Sequence, residues 1–332
     1  MASVHAVVHT KFGKKAAIKI AHKSVLGDHF SADTFLREAR IVHAVDHPAV
    51  IDVFATGSCD GRPYLVMEKL AGKTLGKMFD EGPPLPRKEA IGYLLELCAA
   101  LRAAHDAGIV HRDLKLDNVF VTDKPFADGR RVKLLDWGVA HVTGEDDPFR
   151  GLIAGTLTYV APEQIRGDAL TPAADIYSLA VLAYTLLCRR TPFAAQNDLA
   201  LIHMHLRAEP PKPSVAWPDI PVGLEDLLLR MLAKTPEERP DLDEVEDILR
   251  ACLSIVDAPG KGIRFAEGSS ADIPLPANGP WYLRWLMVRR VAPDMMHDPL
   301  GRAVLPAPPF RIGWAALALG VTAIASLIAS VS

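Results

Sequence analysis

The chain has 332 residues, 37 basic and 40 acidic side chains, and a formal net charge of −3. At roughly 150 residues per domain there is room for about two folding units. The balanced charge, with no long basic run, excludes a nucleic-acid partner, because affinity for a phosphate backbone needs clustered Lys and Arg.

Cys59, Cys98, Cys188 and Cys252 stand far apart with no CxxC spacing. That pattern is neither a disulfide framework nor a zinc site, and it fits reduced thiols in a cytosolic compartment. His43/His47 and His203/His205 lack the Cys or carboxylate company of a metal site and read as packing or surface residues.

In chain order, Ser3 to Val8 and Ala16 to Ile20 are apolar, β-branched runs joined by TKFGK at 10–14, which predicts a hairpin turning at Gly13. FLREARIVHAV at 35–45 places Phe35, Leu36, Ala39, Ile41 and Val42 on one helical face, and His47 and Pro48 close that helix. DGRP at 60–63 is a turn, YLVMEKL at 64–70 a buried strand running into a linker, and Gly72 and Leu75 lead into an exposed turn. The prolines of EGPPLP at 81–86 stop a preceding helix. Ala90 to Ala107 carries apolar residues at helical spacing with Gly108 as a glycine cap.

Short strands are predicted at Val119 to Thr122 and Val132 to Leu135, and a polar, glycine-containing stretch runs from Val139 to Thr158. Asp175 stands at the start of the strongly apolar helix 174–187, where an Asp most simply caps the first turn. Amphipathic helices around 196–207, 222–233 and 241–253 follow. Residues 257–310 are rich in Pro, Gly and Ala and read as a linker, in which only WYLRWLMVRRV at 281–291 has the makings of an amphipathic turn. Ile312 to Val331 is free of charge and, at ~1.5 Å per residue, matches the ~30 Å hydrocarbon core of a bilayer. Arg302 and Arg311 precede it and Trp314 sits at its start, which orients the bulk of the chain to the cytoplasmic side. Nothing at the start of the chain reads as a signal peptide.

The most informative stretch is HRDLKLDN at 111–118, which sets an Asp, a Lys two residues on and an Asn five residues on along one short loop. A carboxylate, an ammonium and an amide oxygen can converge there on one transferring phosphoryl group. With AAIK at 16–19, DWG at 136–138, GTLTYVAPE at 155–163, ADIYS at 174–178 and EERP at 237–240, it resembles the protein kinase family, and Lys115 resembles the Ser/Thr-specific branch. The likeness covers residues 1–255.

It implies an α+β, bilobal protein-kinase fold: a small β-rich N-lobe (1–67), a hinge (68–71) and a larger helical C-lobe (72–255), to which the composition of the remaining chain adds a juxtamembrane linker (256–311) and a C-terminal transmembrane helix (312–331). It also implies ATP with magnesium or manganese bound between the lobes. Catalysis falls to Asp113, which meets the attacking hydroxyl, Lys115, which neutralises the γ-phosphate, Asn118, and Thr156, which helps place the acceptor. Lys19, paired with Glu38, would contact the phosphates, and Val4, Ala17, Met67, Glu68 and Leu70 would hold the adenosine. The metal would go to Asn118 and Asp136. Structural roles fall to Glu163, Asp175 and Arg239, with Glu163 and Arg239 forming a buried ion pair and Asp175 bonding the backbone near His111 and Arg112.

The sequence departs from the family in two places. The glycine-rich loop would lie ahead of Val4, so either the true start lies upstream of Met1, the favoured reading, or the first strand and half the phosphate lid are missing. Trp137 stands where Phe is usual. Thr143, Thr156 and Thr158 are the candidate phosphosites, but EDDPFRGLIA at 145–154 has no hydroxyl. We therefore expect Glu145, Asp146 or Asp147 to supply the negative charge that an Arg in the place of Arg112 usually takes from a phosphate.

The overall expectation is a Ser/Thr protein kinase, single-pass in the inner (cell) membrane with its kinase domain cytoplasmic, acting on protein substrates. A homodimer through Ala316 and Gly320 is a further expectation. The alternative is a catalytically impaired kinase-fold scaffold that binds partners at the membrane.

Overall fold

A computed structural model describes residues 2–22, 32–145 and 156–256. Strands β1 (Ala2–Val8) and β2 (Lys15–Ala21) form the expected hairpin, with Ala2 opposite Ala21 and Val8 opposite Lys15. Gly13 turns it at φ 64°, and the His9 carbonyl accepts from the Gly13 N–H. With β3 (Val53–Cys59) and β4 (Arg62–Glu68) they make an antiparallel sheet in the order β1-β2-β4-β3. β1 is its edge strand, and Val4 there is 59% exposed.

Helix α1 (Ala32–Val45) lies on this sheet. Phe35, with Leu36 and Ala39, joins Ala21 and Leu65 in a small core, whereas Ile41, Val42 and Val45 belong to the main core. The helix is thus gripped most firmly at its C-terminal end.

The segment 72–81 corrects an expectation. In place of the exposed turn stands strand β5 (Gly72–Thr74), followed by α2 (Leu75–Glu81), the helix expected ahead of the prolines at 81–86, with Leu75 fully buried. Thr74 caps the helix by accepting from the Lys77 N–H. Gly72 has φ 147°, and a Cβ there would lie 2.1 Å from the Val121 carbonyl oxygen, so the close approach of β5 to β7 (Val119–Thr122) needs glycine.

Helix α3 (Arg87–Asp106) buries Ile91, Leu94, Leu97, Cys98, Leu101 and Ala104, the recurrence at three and four that the sequence shows. Strand β6 (Ile109–Val110) leads into the 111–118 loop. β7 pairs with both β5 and β8 (Val132–Leu134), and β6 pairs with β9 (His141–Val142).

Helices α4 (Pro162–Arg166), α5 (Ala173–Cys188), α6 (Asp198–Arg207), α7 (Val222–Met231) and α8 (Leu242–Val256) complete the second lobe. Every residue of α5 from Ala174 to Cys188 is buried, as a helix apolar on all sides requires. Among the described residues no helix is long and apolar enough to cross a membrane. The segment 312–331 lies outside them, as does the expected linker from 257 onward.

Candidate active site

The 111–118 loop is fixed from below by α5. Asp175 is completely buried and accepts from the His111 N–H at 2.8 Å, the Arg112 N–H at 2.9 Å and His105 Nε2 at 2.9 Å. Burial alone would raise its pKa, but His105 and His111 outweigh it and hold the carboxyl below its ordinary range. The bonds to the His111 and Arg112 N–H groups are the backbone bonds that the resemblance implies, while the capping role that could have accompanied them is not seen. The residue before the helix is Pro172, without a side-chain cap, and the carboxylate is turned to the loop instead. Arg112 has φ 70°, a strained value for a non-glycine residue that these bonds maintain.

That kink directs Asp113 toward Thr156. One Asp113 oxygen accepts from Lys115 Nζ at 2.6 Å and Asn118 Nδ2 at 3.0 Å, and the other accepts from the Thr156 N–H at 3.0 Å. Lys115 Nζ also donates to Thr156 Oγ1 at 3.0 Å. Asp113, Lys115, Asn118 and Thr156 are therefore brought together. His111 supports the loop, donating from Nε2 to the Leu135 carbonyl at 3.2 Å while Nδ1 accepts from the Asp113 N–H. Trp137 is fully buried, 4.6 Å centroid to centroid and edge-on to the His111 ring, so an indole fills the usual Phe position as a packing element.

A second cluster faces it across the lobes. Lys19 Nζ, on β2, lies 3.0 and 2.8 Å from the two Glu38 oxygens on α1 and 2.8 Å from Asp136 Oδ1. Burial pulls the Lys19 pKa down, but Glu38 and Asp136 together more than reverse this, so the ammonium holds its proton more tightly than an ordinary lysine. Burial pushes the Glu38 carboxyl up against the pull of Lys19. Asp136 goes the other way, because Lys19 outweighs its burial and keeps it ionised.

Val4, Ala17, Lys19, Glu38, Met67, Glu68, Leu70, Asn118 and Asp136 all line one cavity of about 390 Å³. Glu68 is more committed than expected. Its N–H donates to the Asp52 carbonyl, and its side chain pairs with Lys133 at 2.5 Å and accepts from the Asp52 N–H. Sequence reasoning missed this pair, whose only signal is a Lys in the strand ahead of DWG.

A magnesium-type ion fits the donor set. Asp136, its side chain 47% exposed, offers an ionised carboxylate. Asn118 points its amide nitrogen at Asp113, which leaves its oxygen as the outward group. Among the described residues no cluster of three His, Cys, Asp or Glu could hold a metal by itself. Two oxygen ligands with the remainder drawn from phosphate and water is the magnesium pattern.

Away from the cavity, Arg239 donates to both Glu163 oxygens, at 2.6 and 2.8 Å, with both side chains essentially inaccessible. Glu145 makes an ion pair, but with Arg37 of α1 at 3.1 Å rather than the expected Arg112. The reason is positional: the β6–β9 pairing and the turn after it, in which the Glu145 N–H donates to the Val142 carbonyl, carry Glu145 toward α1. Asp146 and Asp147 lie outside the described residues. Of the candidate phosphosites, Thr143 is exposed, Thr158 is half-buried, and Thr156 has its hydroxyl engaged by Lys115.

The class that this architecture defines is a two-lobed α+β protein with a cavity between a four-stranded sheet and a helical lobe. The family model described as "Protein kinase domain" matches residues 1–249. Among similar curated proteins are the serine/threonine-protein kinases Pkn1 and pkn2 of Myxococcus xanthus. Pkn1 is 38% identical over 72% of this chain, and pkn2 is 35% identical over 84%. The serine/threonine-protein kinase PknB of Mycobacterium leprae is 31% identical over 72% of the chain. These matches cover 34%, 34% and 39% of those proteins, so the chain spans a third to two fifths of the relatives' length. The chain belongs to the protein kinase domain family.

Proposed function

We propose that the chain is a protein serine/threonine kinase that moves the γ-phosphoryl group of ATP to Ser or Thr hydroxyls of protein substrates. The observation that carries this reading is the four-residue cluster of Asp113, Lys115, Asn118 and Thr156. Asp113 has a carboxylate within reach of an incoming hydroxyl held beside Thr156. Accepting that hydroxyl's hydrogen bond orients the oxygen for in-line attack; the new O–P bond forms as the bond from the γ-phosphorus to the β–γ bridging oxygen breaks, the hydroxyl proton passes to the Asp113 carboxylate and ADP leaves. Lys115, spanning Asp113 and Thr156, sets its charge where the transferring phosphoryl accumulates negative charge. Lys19, held upright by Glu38, meets the phosphates of ATP, and the adenine lies against Ala17, Met67 and Leu70. A divalent ion on Asn118 and Asp136 would neutralise phosphate charge.

The charge-free segment 312–331, with Arg302, Arg311 and Trp314 ahead of it, supports single-pass anchoring in the cell membrane with the kinase domain cytoplasmic. Ala316 and Gly320 support pairing of two such helices.

The test is label transfer from ATP to a generic acceptor protein by the full chain recovered from membranes. Transfer is expected from the wild type and should be abolished in Asp113→Ala and in Lys19→Met. Equal turnover in both variants overturns the mechanism. Nucleotide binding without turnover in the wild type would favour the scaffold instead.

A further inference from the structure

Helix α1 carries two adjacent residues with different tasks. Glu38 holds Lys19. Arg37, its side chain 14% exposed, donates from one guanidinium nitrogen to the Ala140 carbonyl at 3.0 Å and from another to Glu145 Oε2 at 3.1 Å. Both acceptors belong to the stretch just after DWG, and that stretch is itself fixed. Ala140 is fully buried, and its N–H donates to the Trp137 carbonyl. His141 and Val142 pair with Val110 and Ile109, and the Thr143 N–H donates to the Gly108 carbonyl.

Glu145 is therefore presented from a foundation shared with the catalytic loop, toward the half of α1 that the main core does not grip. The N-terminal half rests on a three-residue buried core of Phe35, Ala21 and Leu65, while Ile41, Val42 and Val45 anchor the other end. With the N-terminal half resting on the smaller of the two cores, a further tie there helps keep Glu38 against Lys19.

We propose that Arg37 and Glu145 form a built-in acidic latch: the Glu145 carboxylate holds α1 with the Lys19–Glu38 pair formed, so the enzyme is active without a phosphate on the segment. Arg37 and Glu145 are positioning residues that act through Glu38. The inference rests on the kinase reading, and it goes further by assigning the source of the negative charge and its receiver.

The test uses full-length protein treated with a phosphatase that is then removed. Glu145 is exposed, and an exposed pair is worth up to about 1 kcal/mol, so Glu145→Ala should lower kcat/KM by about fivefold. Arg37→Ala, which also loses the bond to Ala140, should lose about tenfold or more. The double variant should be no worse than Arg37→Ala alone, since both act through one contact. Arg37→Lys should restore part of the loss, and the reversed pair Arg37→Glu with Glu145→Arg more than either single reversal, a response that a purely structural role does not give.

Hydrogen exchange of the amides at 35–39 gives a readout independent of turnover, and protection there should fall in Glu145→Ala. Loss of wild-type activity on phosphatase treatment, single variants within twofold of wild type, additive losses in the double variant, or unchanged protection at 35–39 would each overturn the latch. If the wild type transfers no label at all, the kinase reading fails, and exchange at 35–39 still decides whether Glu145 holds the helix.

Discussion

Asp175 offers the sharpest link between folding and catalysis, because one carboxylate satisfies two buried backbone donors and an imidazole at once. Asp175→Ala strands the N–H groups of His111 and Arg112. A buried donor left without a partner costs about 1–3 kcal/mol, so the two amides together cost about 2–6 kcal/mol, against a total stability of about 5–15 kcal/mol for a domain. At about 2–4 °C per kcal/mol in a chain of this size, the melting midpoint should fall by about 10 °C. Asp175→Asn keeps the shape but turns one acceptor into a donor facing another donor, so it should lie between wild type and Ala.

Activity should fall further than stability. The φ of 70° at Arg112 relaxes once its amide is released, and Asp113 is the next residue. The assay is thermal unfolding by circular dichroism, with label transfer measured 10 °C below each variant's own midpoint.

A pH series supplies the sign. The folded pKa of Asp175 is depressed, so its contribution is complete above the unfolded value of 3.8 and is lost as pH falls through the folded value. The gap between wild type and Asp175→Asn should therefore narrow below about pH 4. A midpoint for Asp175→Ala within 2 °C of wild type, or a gap indifferent to acid, would refute the reasoning.

Two further outcomes concern the second lobe. Arg239→Ala leaves Glu163 charged and buried and should cost about 3–5 kcal/mol, whereas replacing both by Leu and Met should recover most of that, measured by urea unfolding. A double variant as unstable as Arg239→Ala would show that the ion pair matters for more than its mutual compensation. His205 is buried against Phe193, hydrogen-bonded to Tyr177 at 2.9 Å, and its pKa is lowered to about 4, by burial first and then by the charge of Lys234. The unfolded chain takes up this proton below about pH 6.5 and the folded chain does not, so wild-type stability should decline from there toward pH 4 by up to about 1.4 kcal/mol per pH unit. His205→Gln should flatten that decline, and equal slopes for the two proteins would dismiss the assignment.

What the sequence disclosed was whatever local spacing encodes. The first hairpin and its turn at Gly13, the apolar faces of α1 and α3, and the later helices of the second lobe all have periods short enough to read along the chain. The catalytic loop was legible because its residues lie within eight positions of one another. The start of segment 72–81 was misread because Gly72 signals a turn locally, whereas in the fold it permits close strand pairing with β7; the helix stopped by the prolines at 81–86 was legible. For Asp175 the helix start suggests only a cap locally, and it was the family resemblance that pointed to the His111 and Arg112 amides, 64 and 63 residues away. Arg37 and Glu145, 108 residues apart, have no local signature at all. Their meeting depends on the two-residue pairing of β6 with β9, too short to be read as strands.

The same reasoning shows why the four consecutive residues 133–136 matter more than their spacing suggests. Lys133 pairs with Glu68 and donates to the Val50 carbonyl, so it ties the second lobe to the end of β4. Leu134 exchanges backbone bonds with Ala49 and Ile51, extending that tie to the loop after α1. Leu135 offers its carbonyl to His111 and its N–H to the Asn118 carbonyl, which reaches both ends of the catalytic loop. Asp136 meets Lys19. Each residue serves a different element, and consecutive Cα atoms are only about 3.8 Å apart, so the four contacts lie close together. A change in the relation between the lobes therefore cannot be confined to one of these contacts: displacing Leu134 relative to Ala49 displaces Asp136 relative to Lys19 as well. The position of the first lobe and the ion pairing of Lys19 are in this way linked through the end of β8 and the two residues that follow it.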